Sequence, residues 1–473
     1  MKSRGSARRV MVIGLDCAAP ELVLDQWLDE LPNIRQVVAA GVSGRLHSSI
    51  PPITVPAWMS MMTGRDPGAL GLYGFHNRAD HGYANLRIAS SASIREPALW
   101  DMLGEHGKHS IVIGVPPTYP VKPIRGELIS CFLTPSDAKQ FTHPAALGDE
   151  IRGLVGEYKV DAQGFRTEDK DWLLAEIYEM TEKRFKVARH LLSTRPWDFF
   201  MLVEIGLDRI HHGFWQFMDP EHVLYPGPNR FQNAIREYHR FLDGLVGGLL
   251  ELADDDTDVL IVSDHGAKRM DGSIAVNEWL IQQGYLVLKG YPSTSTRFAK
   301  LDVDWQATRA WGEGGYYGRV FVNLQGREPT GIVARPDYEA LRRELKAGLE
   351  AIPDAAGRPL RTRAELPEQL YPEVRNVAPD LFVFFGDLYW RAAGTVGHGV
   401  IHLRENDTGP DGANHDWHGV FAMAEGKALR NGSQRTEERR DLRLLDVAPT
   451  VLHAFGVPVP ARLQGRVVPG RSA

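Results

Sequence analysis

A doubly wound, mostly parallel α/β sheet carrying an inserted α+β cap is the fold this sequence predicts, and three observations predict it. Apolar, β-branched runs recur at Arg9-Val-Met-Val-Ile-Gly-Leu-Asp16, Trp197–Asp208 and Val259-Leu-Ile-Val-Ser-Asp-His-Gly266. Helical spacings separate these runs, as they do in βαβ units. After Gly266 the pattern changes to short helices and hairpins, and an apolar run returns at Asp380-Leu-Phe-Val-Phe-Phe385. The expected division is a core over 1–266, an inserted cap over 267–378, and a closing part of the core over 379–473.

Each element follows in order. Arg9–Leu15 reads as a buried strand ending at Asp16, which serves equally as a helix cap or as a ligand at a sheet edge. Pro20–Ala40 has helical spacing, broken near Pro32. In Ser49-Ile-Pro-Pro-Ile-Thr-Val-Pro-Ala57 the prolines forbid a helix before residue 56, so Thr54 stands just ahead of one. A Thr there caps the helix, or presents its hydroxyl where the helix dipole favours an anion. Gly64–Gly68 reads as the turn that closes this helix. His109–Val115 reads as a strand, Leu128–Leu133 as a weaker one, and His143-Pro as loop.

Helices are expected at Asp169–Leu192 and Pro228–Leu252. Between them, Trp197–Asp208 reads as a strand ending in a carboxylate. Asp208 and His212 are four apart, a spacing that shares one helical face, with His211 as the adjacent alternative. Pro336–Ile352 is an amphipathic helix within the cap. The cap aromatics Trp279, Trp305, Trp311, Tyr316 and Tyr317 fit a core or a substrate platform equally well. Late in the chain His398, His415 and His418 compete for a site role, and Leu444–Phe455 reads as a closing helix.

The bulk numbers bound the function. The 473 residues are 43% hydrophobic and 24% charged, which suffices for a large core plus a subdomain. A net charge of −6 implies no basic face and argues against a nucleic-acid partner. The basic segment Lys2–Arg9 resembles a signal n-region, but the apolar run Val10–Leu15 is short and stops at Asp16. No run reaches the roughly 18 to 20 apolar residues of a membrane span. Two cysteines, Cys17 and Cys131, make no disulfide framework. The expectation is a cytoplasmic protein.

Asp16, Asp208, Asp264, His212, His265, a late His and Thr54 together offer carboxylates, imidazoles and a hydroxyl. Mixed oxygen and nitrogen ligands suit Zn²⁺ or Mn²⁺, and seven such groups fill two adjacent metal sites. Paired ions suit phosphoryl transfer, with Thr54 facing the substrate.

In these motifs the sequence resembles the alkaline phosphatase superfamily, above all its type I phosphodiesterase/nucleotide pyrophosphatase branch and related phosphohydrolases or phosphomutases. The resemblance runs from Val10 to about Gly465. It rests on Gly-Leu-Asp16, Thr54-Val-Pro56 with Thr63-Gly64, Asp208-x₃-His212, Ser263-Asp-His-Gly266 and Asp446-Val-Ala-Pro-Thr450 with Gly456-Val-Pro458. It implies a Thr54 nucleophile that forms a phosphothreonine intermediate. It implies one ion on Asp16, Thr54, Asp264 and His265, and another on Asp208, His212 and His415, with His398 the second choice. Zn²⁺ is the expected ion and Mn²⁺ the alternative.

The family's phosphodiesterases usually place Asn after Thr-x-Pro, and here Ala57 stands there. Arg209, Lys268 and Arg269 are candidate contacts for substrate phosphate instead. The implied function is hydrolysis of a small phosphorylated substrate. The alternatives are a phosphomutase of the same fold and a non-catalytic metal-binding relative. A sulfatase is disfavoured, because residue 54 is Thr and not the Cys or Ser converted to formylglycine.

Overall fold

The computed structural model describes residues 8–434 and 436–470. A nine-stranded sheet runs in the order Glu437–Arg443, Val42–His47, His418–Ala424, Thr257–Val262, Arg9–Leu15, Phe199–Glu204, Ser110–Ile113, Gly126–Ile129 and Thr142–His143. The stretch from Thr257–Val262 to Gly126–Ile129 is wholly parallel, and His418–Ala424 runs antiparallel to both of its neighbours. Alternation along the central strand explains the double winding. Val10 and Val12 pack towards Thr54–Thr63 and Val447–Ala454, while Met11, Ile13 and Leu15 pack towards Pro32–Ala40, Lys170–Thr194, Gly206–Met218 and Ala234–Leu250. Both faces are therefore covered, and ligand groups are left to the carboxyl ends of the strands.

Leaving the strand Thr257–Val262, the chain enters a smaller layered region. Its four-stranded antiparallel sheet has the order Ala310–Glu313, Gly318–Val322, Leu381–Phe384, Arg363–Glu365. Trp279 and Trp311 are core here, packed with Phe321 and Leu345, whereas Tyr316 turns towards the main sheet's edge. A two-stranded ribbon, Gly266–Arg269 against Ala413–Asp416, pairs Ala267 with His415. This ribbon returns a late histidine to the neighbourhood of His265.

Several expectations need correction. The strand expected at Asp380–Phe385 forms as Leu381–Phe384, but it pairs with Gly318–Val322 and Arg363–Glu365 and not with the nine-stranded sheet. A division at residue 378 thus cuts one hydrogen-bonded sheet. Asp208 does not end a strand. The strand stops at Glu204, whose carboxylate accepts from the Gly206 N–H at 2.6 Å and from Arg184 at 3.0 Å, and Asp208 lies in the first turn of the helix Gly206–Met218. The helix Thr54–Thr63 begins two residues before Pro56, because a proline at its third position needs no N–H bond inside the helix. Gly64 ends that helix at φ 63°, the left-handed conformation that glycine adopts freely. Pro67 and Gly68, read as the end of the turn Gly64–Gly68, instead begin one helical turn, Pro67–Leu70, capped by Asp66.

Candidate metal centre

Two groups of ligand-type side chains meet at the carboxyl edge of the sheet, and within each group the donor atoms lie within 4.8 Å of one another. The first is Asp16, Asp264 and His265. Its residues follow the ends of two paired strands whose register sets Gly14 beside Val262. Gly14 is required for close approach: a Cβ there would stand 2.6 Å from the Trp58 ring. Trp58 crosses over it and donates its indole N–H to Asp16 Oδ2 at 2.6 Å. Asp264 Oδ1 accepts the Cys17 N–H at 3.2 Å, and His265 Nε2 stands 3.1 Å from Asp264 Oδ2 and 3.8 Å from Asp16 Oδ1.

The second group is Asp208, His212 and His415, joined by Cys17. His212 Nε2 is 3.1 Å from Asp208 Oδ1 and 3.3 Å from His415 Nε2. His415 stacks on His265 on one side, with ring centroids 3.7 Å apart, and on Tyr316 on the other at 3.8 Å. Sequence reading missed Asp411, which accepts from His212 Nδ1 at 2.8 Å and is itself held by Arg391 at 2.9 Å and Arg166 at 3.0 Å. A carboxylate behind a ligand histidine fixes its tautomer. It sits in Gly409-Pro-Asp-Gly412, which reads as an ordinary turn.

All three histidines are oriented alike. Nδ1 of His212 faces Asp411, that of His415 faces the Pro52 carbonyl at 3.0 Å, and that of His265 faces the Gly266 carbonyl at 3.1 Å. Each Nδ1–H is thereby occupied, and each Nε2 is left towards the carboxylates. Those carboxylates answer with unpartnered buried oxygens: Asp16 Oδ1, Asp264 Oδ2 and Asp208 Oδ1 make no hydrogen bond. Burial pushes Asp16 and Asp264 well above the usual carboxylate range, and the neighbouring carboxylates push the same way. Burial acts on Asp208 too, but the charges of His212 and Arg209 hold it well below that range. Against its own burial, His212 is raised to about 10 by Asp411 and Asp208, while burial lowers His415 to about 4. Buried carboxylate oxygens facing the Nε2 atoms of three imidazoles are a donor set that fits a divalent ion, which would displace the proton that Asp411 and Asp208 hold on His212.

Thr54 is buried at the first position of its helix, and its Oγ1 lies 3.2 Å from His265 Nε2. Of the basic residues singled out from sequence, Arg209 borders the centre, bonded to Asp208 and, at 2.7 Å, to Asp161. Lys268 is paired with Asp416 at 2.9 Å, and Arg269 with Glu221 and Asp271 at 2.6 Å each. His398 lies apart, bonded to Thr395 at 2.8 Å, and His211 belongs to neither group and packs against the His239 ring. A cleft of about 440 Å³ opens beside the centre, lined by Phe75, Phe132, Phe165 and Tyr316 and by Arg166, Arg209, Arg319 and Arg391, with Asp161 the one carboxylate among the described residues that line it.

The fold and this donor set define a metal-dependent phosphohydrolase of the alkaline phosphatase superfamily. The chain belongs to the type I phosphodiesterase/nucleotide pyrophosphatase family, whose model matches residues 10–420. Human ectonucleotide pyrophosphatase/phosphodiesterase 5 superposes with a TM-score of 0.53 at 12% identity, over 96% of each chain. Phosphonoacetate hydrolase from Sinorhizobium meliloti 1021, in complex with phosphonoformate, superposes at 0.60 with 15% identity over 95% of this chain and 96% of the other. The same enzyme in complex with phosphonoacetate gives 0.60 at 16% identity, over the same shares. No curated protein matches the sequence. Among the described residues, no helix is long and apolar enough to cross a membrane.

Proposed function

We propose that this chain hydrolyses a small anionic phosphoric ester through a covalent phosphothreonine at Thr54. One divalent ion would be held by Asp16, Asp264 and His265 beside Thr54, and a second by Asp208, His212 and His415. The observation that carries this reading is the facing arrangement of spare imidazole Nε2 atoms and unpartnered carboxylate oxygens. Zn²⁺ suits the mixed donors best, with Mn²⁺ second. Such ions supply Lewis acidity, which lowers the pKa of a bound hydroxyl and neutralises charge on phosphoryl oxygens.

The protein's own groups do the rest. Thr54 Oγ1 gives up its proton and attacks phosphorus, the new P–O bond forming as the bond to the leaving oxygen breaks and that oxygen takes a proton from solvent. The Thr54 and Val55 N–H groups, in the first turn of a helix, face the incoming anion. Water then cleaves the phosphothreonine and frees phosphate. Among the basic candidates, Arg209 takes the substrate role, with Arg166, Arg319 and Arg391 lining the same cleft. Lys268 and Arg269 instead serve their ion pairs on the ribbon. Ala57 is fully buried and offers no amide to a phosphate oxygen, which favours monoesters.

The test compares p-nitrophenyl phosphate with bis-p-nitrophenyl phosphate, in Zn²⁺ and in Mn²⁺, with Thr54→Ala as the blank. Thr54-dependent monoester cleavage is the expected result. Faster diester cleavage would place substrate choice elsewhere than position 57. Turnover undiminished in Thr54→Ala would overturn the nucleophile.

A further inference from the structure

We propose that the Cys17 thiol is a fourth ligand of the ion held by Asp208, His212 and His415, so that this site favours a thiophilic ion such as Zn²⁺ over Mn²⁺. The inference rests on the metal reading above and extends it to a residue that reading leaves unused. Cys17 Sγ lies within 4.8 Å of the donor atoms of Asp208, His212 and His415, and the residue is wholly buried. An independent observation marks the same space as a ligand position: Asp208 Oδ1 is buried there without a hydrogen-bond partner. The thiol's own contact is to the Gly266 carbonyl at 3.4 Å, and a thiol is a weak donor that leaves its sulfur lone pairs free.

The backbone puts the sulfur there. Cys17 adopts φ 67°, in the left-handed region where glycine is at ease and side chains are rare. The turn is pinned by the Cys17 N–H on Asp264 Oδ1 at 3.2 Å and the Ala18 N–H on Ser263 Oγ at 2.9 Å. A glycine would hold this turn without strain, but it would bring no donor to the second group. Ligation forms one metal–sulfur bond and releases the thiol proton to solvent, with no change of oxidation state. The two groups then differ in kind. Asp16, Asp264 and His265 offer only oxygen and nitrogen, whereas the second group adds a soft sulfur.

The test loads the full-length chain with Co²⁺ and records the near-ultraviolet absorption of sulfur-to-cobalt charge transfer, with the cobalt content measured alongside. Wild type, Cys17→Gly, Cys17→Ser and Cys131→Ser are compared. Glycine suits the backbone angle, so Cys17→Gly separates ligation from folding. The expected result is the band in wild type and Cys131→Ser and its loss in both Cys17 variants. Zn²⁺ affinity at one site should fall by about tenfold or more in those variants, with Mn²⁺ affinity changed less. Two bound cobalt ions without the band would overturn the proposal, as would a band that survives in Cys17→Gly. Failure to bind cobalt at all would overturn the metal reading itself, a result the cobalt content distinguishes from the others.

Discussion

The two ligand groups sit side by side but are built differently. Asp16, Asp264 and His265 come from the ends of two paired strands, so the sheet register alone brings them together. Asp208 and His212 come from one helix face, and His415 arrives on a ribbon strand far along the chain. The first group is oriented by the Trp58 side chain on Asp16 and otherwise by backbone groups, the Cys17 N–H on Asp264 and the Gly266 carbonyl on His265. The second has a network, with Asp411 behind His212 and Arg391 and Arg166 behind Asp411. The lesson is that strand ends preorganise ligands through the backbone, whereas a site assembled from distant segments needs polar partners to hold its rings. The second group should therefore be the more easily broken from a distance.

The largest expected effect falls on neither group alone. Thr54→Ala should lower turnover by at least about a thousandfold while the ion at Asp208, His212 and His415 stays bound, as metal analysis beside a kinetic assay would record. Retained activity would remove the reason for treating the two groups as one centre. Next, His415→Ala should lose one equivalent of metal, whereas His398→Ala should keep both. Equal metal content in the two variants would sever the ribbon from the second group. Asp411→Asn sharpens the comparison further. It leaves every proposed ligand in place, yet should weaken one ion by about 10–100-fold and spare the other. If both ions weaken alike, the groups are not independent.

Trp58→Phe should have the smallest effect. It removes one hydrogen bond to a buried carboxylate, a loss of about 1–3 kcal/mol in stability measured by urea unfolding of the metal-free chain. A larger loss of metal than in Asp411→Asn would reverse the proposed contrast between backbone and side-chain support.

The same contrast explains what the sequence disclosed. Val259–Gly266 and Arg9–Asp16 are apolar runs that end abruptly in polar residues, so both the strands and their cargo were legible. Asp208 and His212 were legible as a helical spacing, but Glu204 was not recognised as the strand's end, because apolar residues continue to Leu207. The edge strand Glu437–Arg443 and its neighbour Val42–His47 carried no apolar run to announce them. Glu437–Arg443 is nearly all charged, as suits an exposed sheet edge. Asp411 lay hidden in a Pro-Asp-Gly turn, Trp58 inside an apolar helix, and Cys17 in a two-cysteine count that suggested nothing. Each meets its neighbours at the centre only through folding. Periodicity reports which face of an element is buried, not which side chain backs another across the chain.

Anomalous diffraction from Zn²⁺-loaded crystals is the most direct test of the central claim. The account predicts two peaks, one among Asp16, Asp264 and His265 beside Thr54 and one among Asp208, His212 and His415. A single peak, or zinc bound only away from these residues, would contradict it.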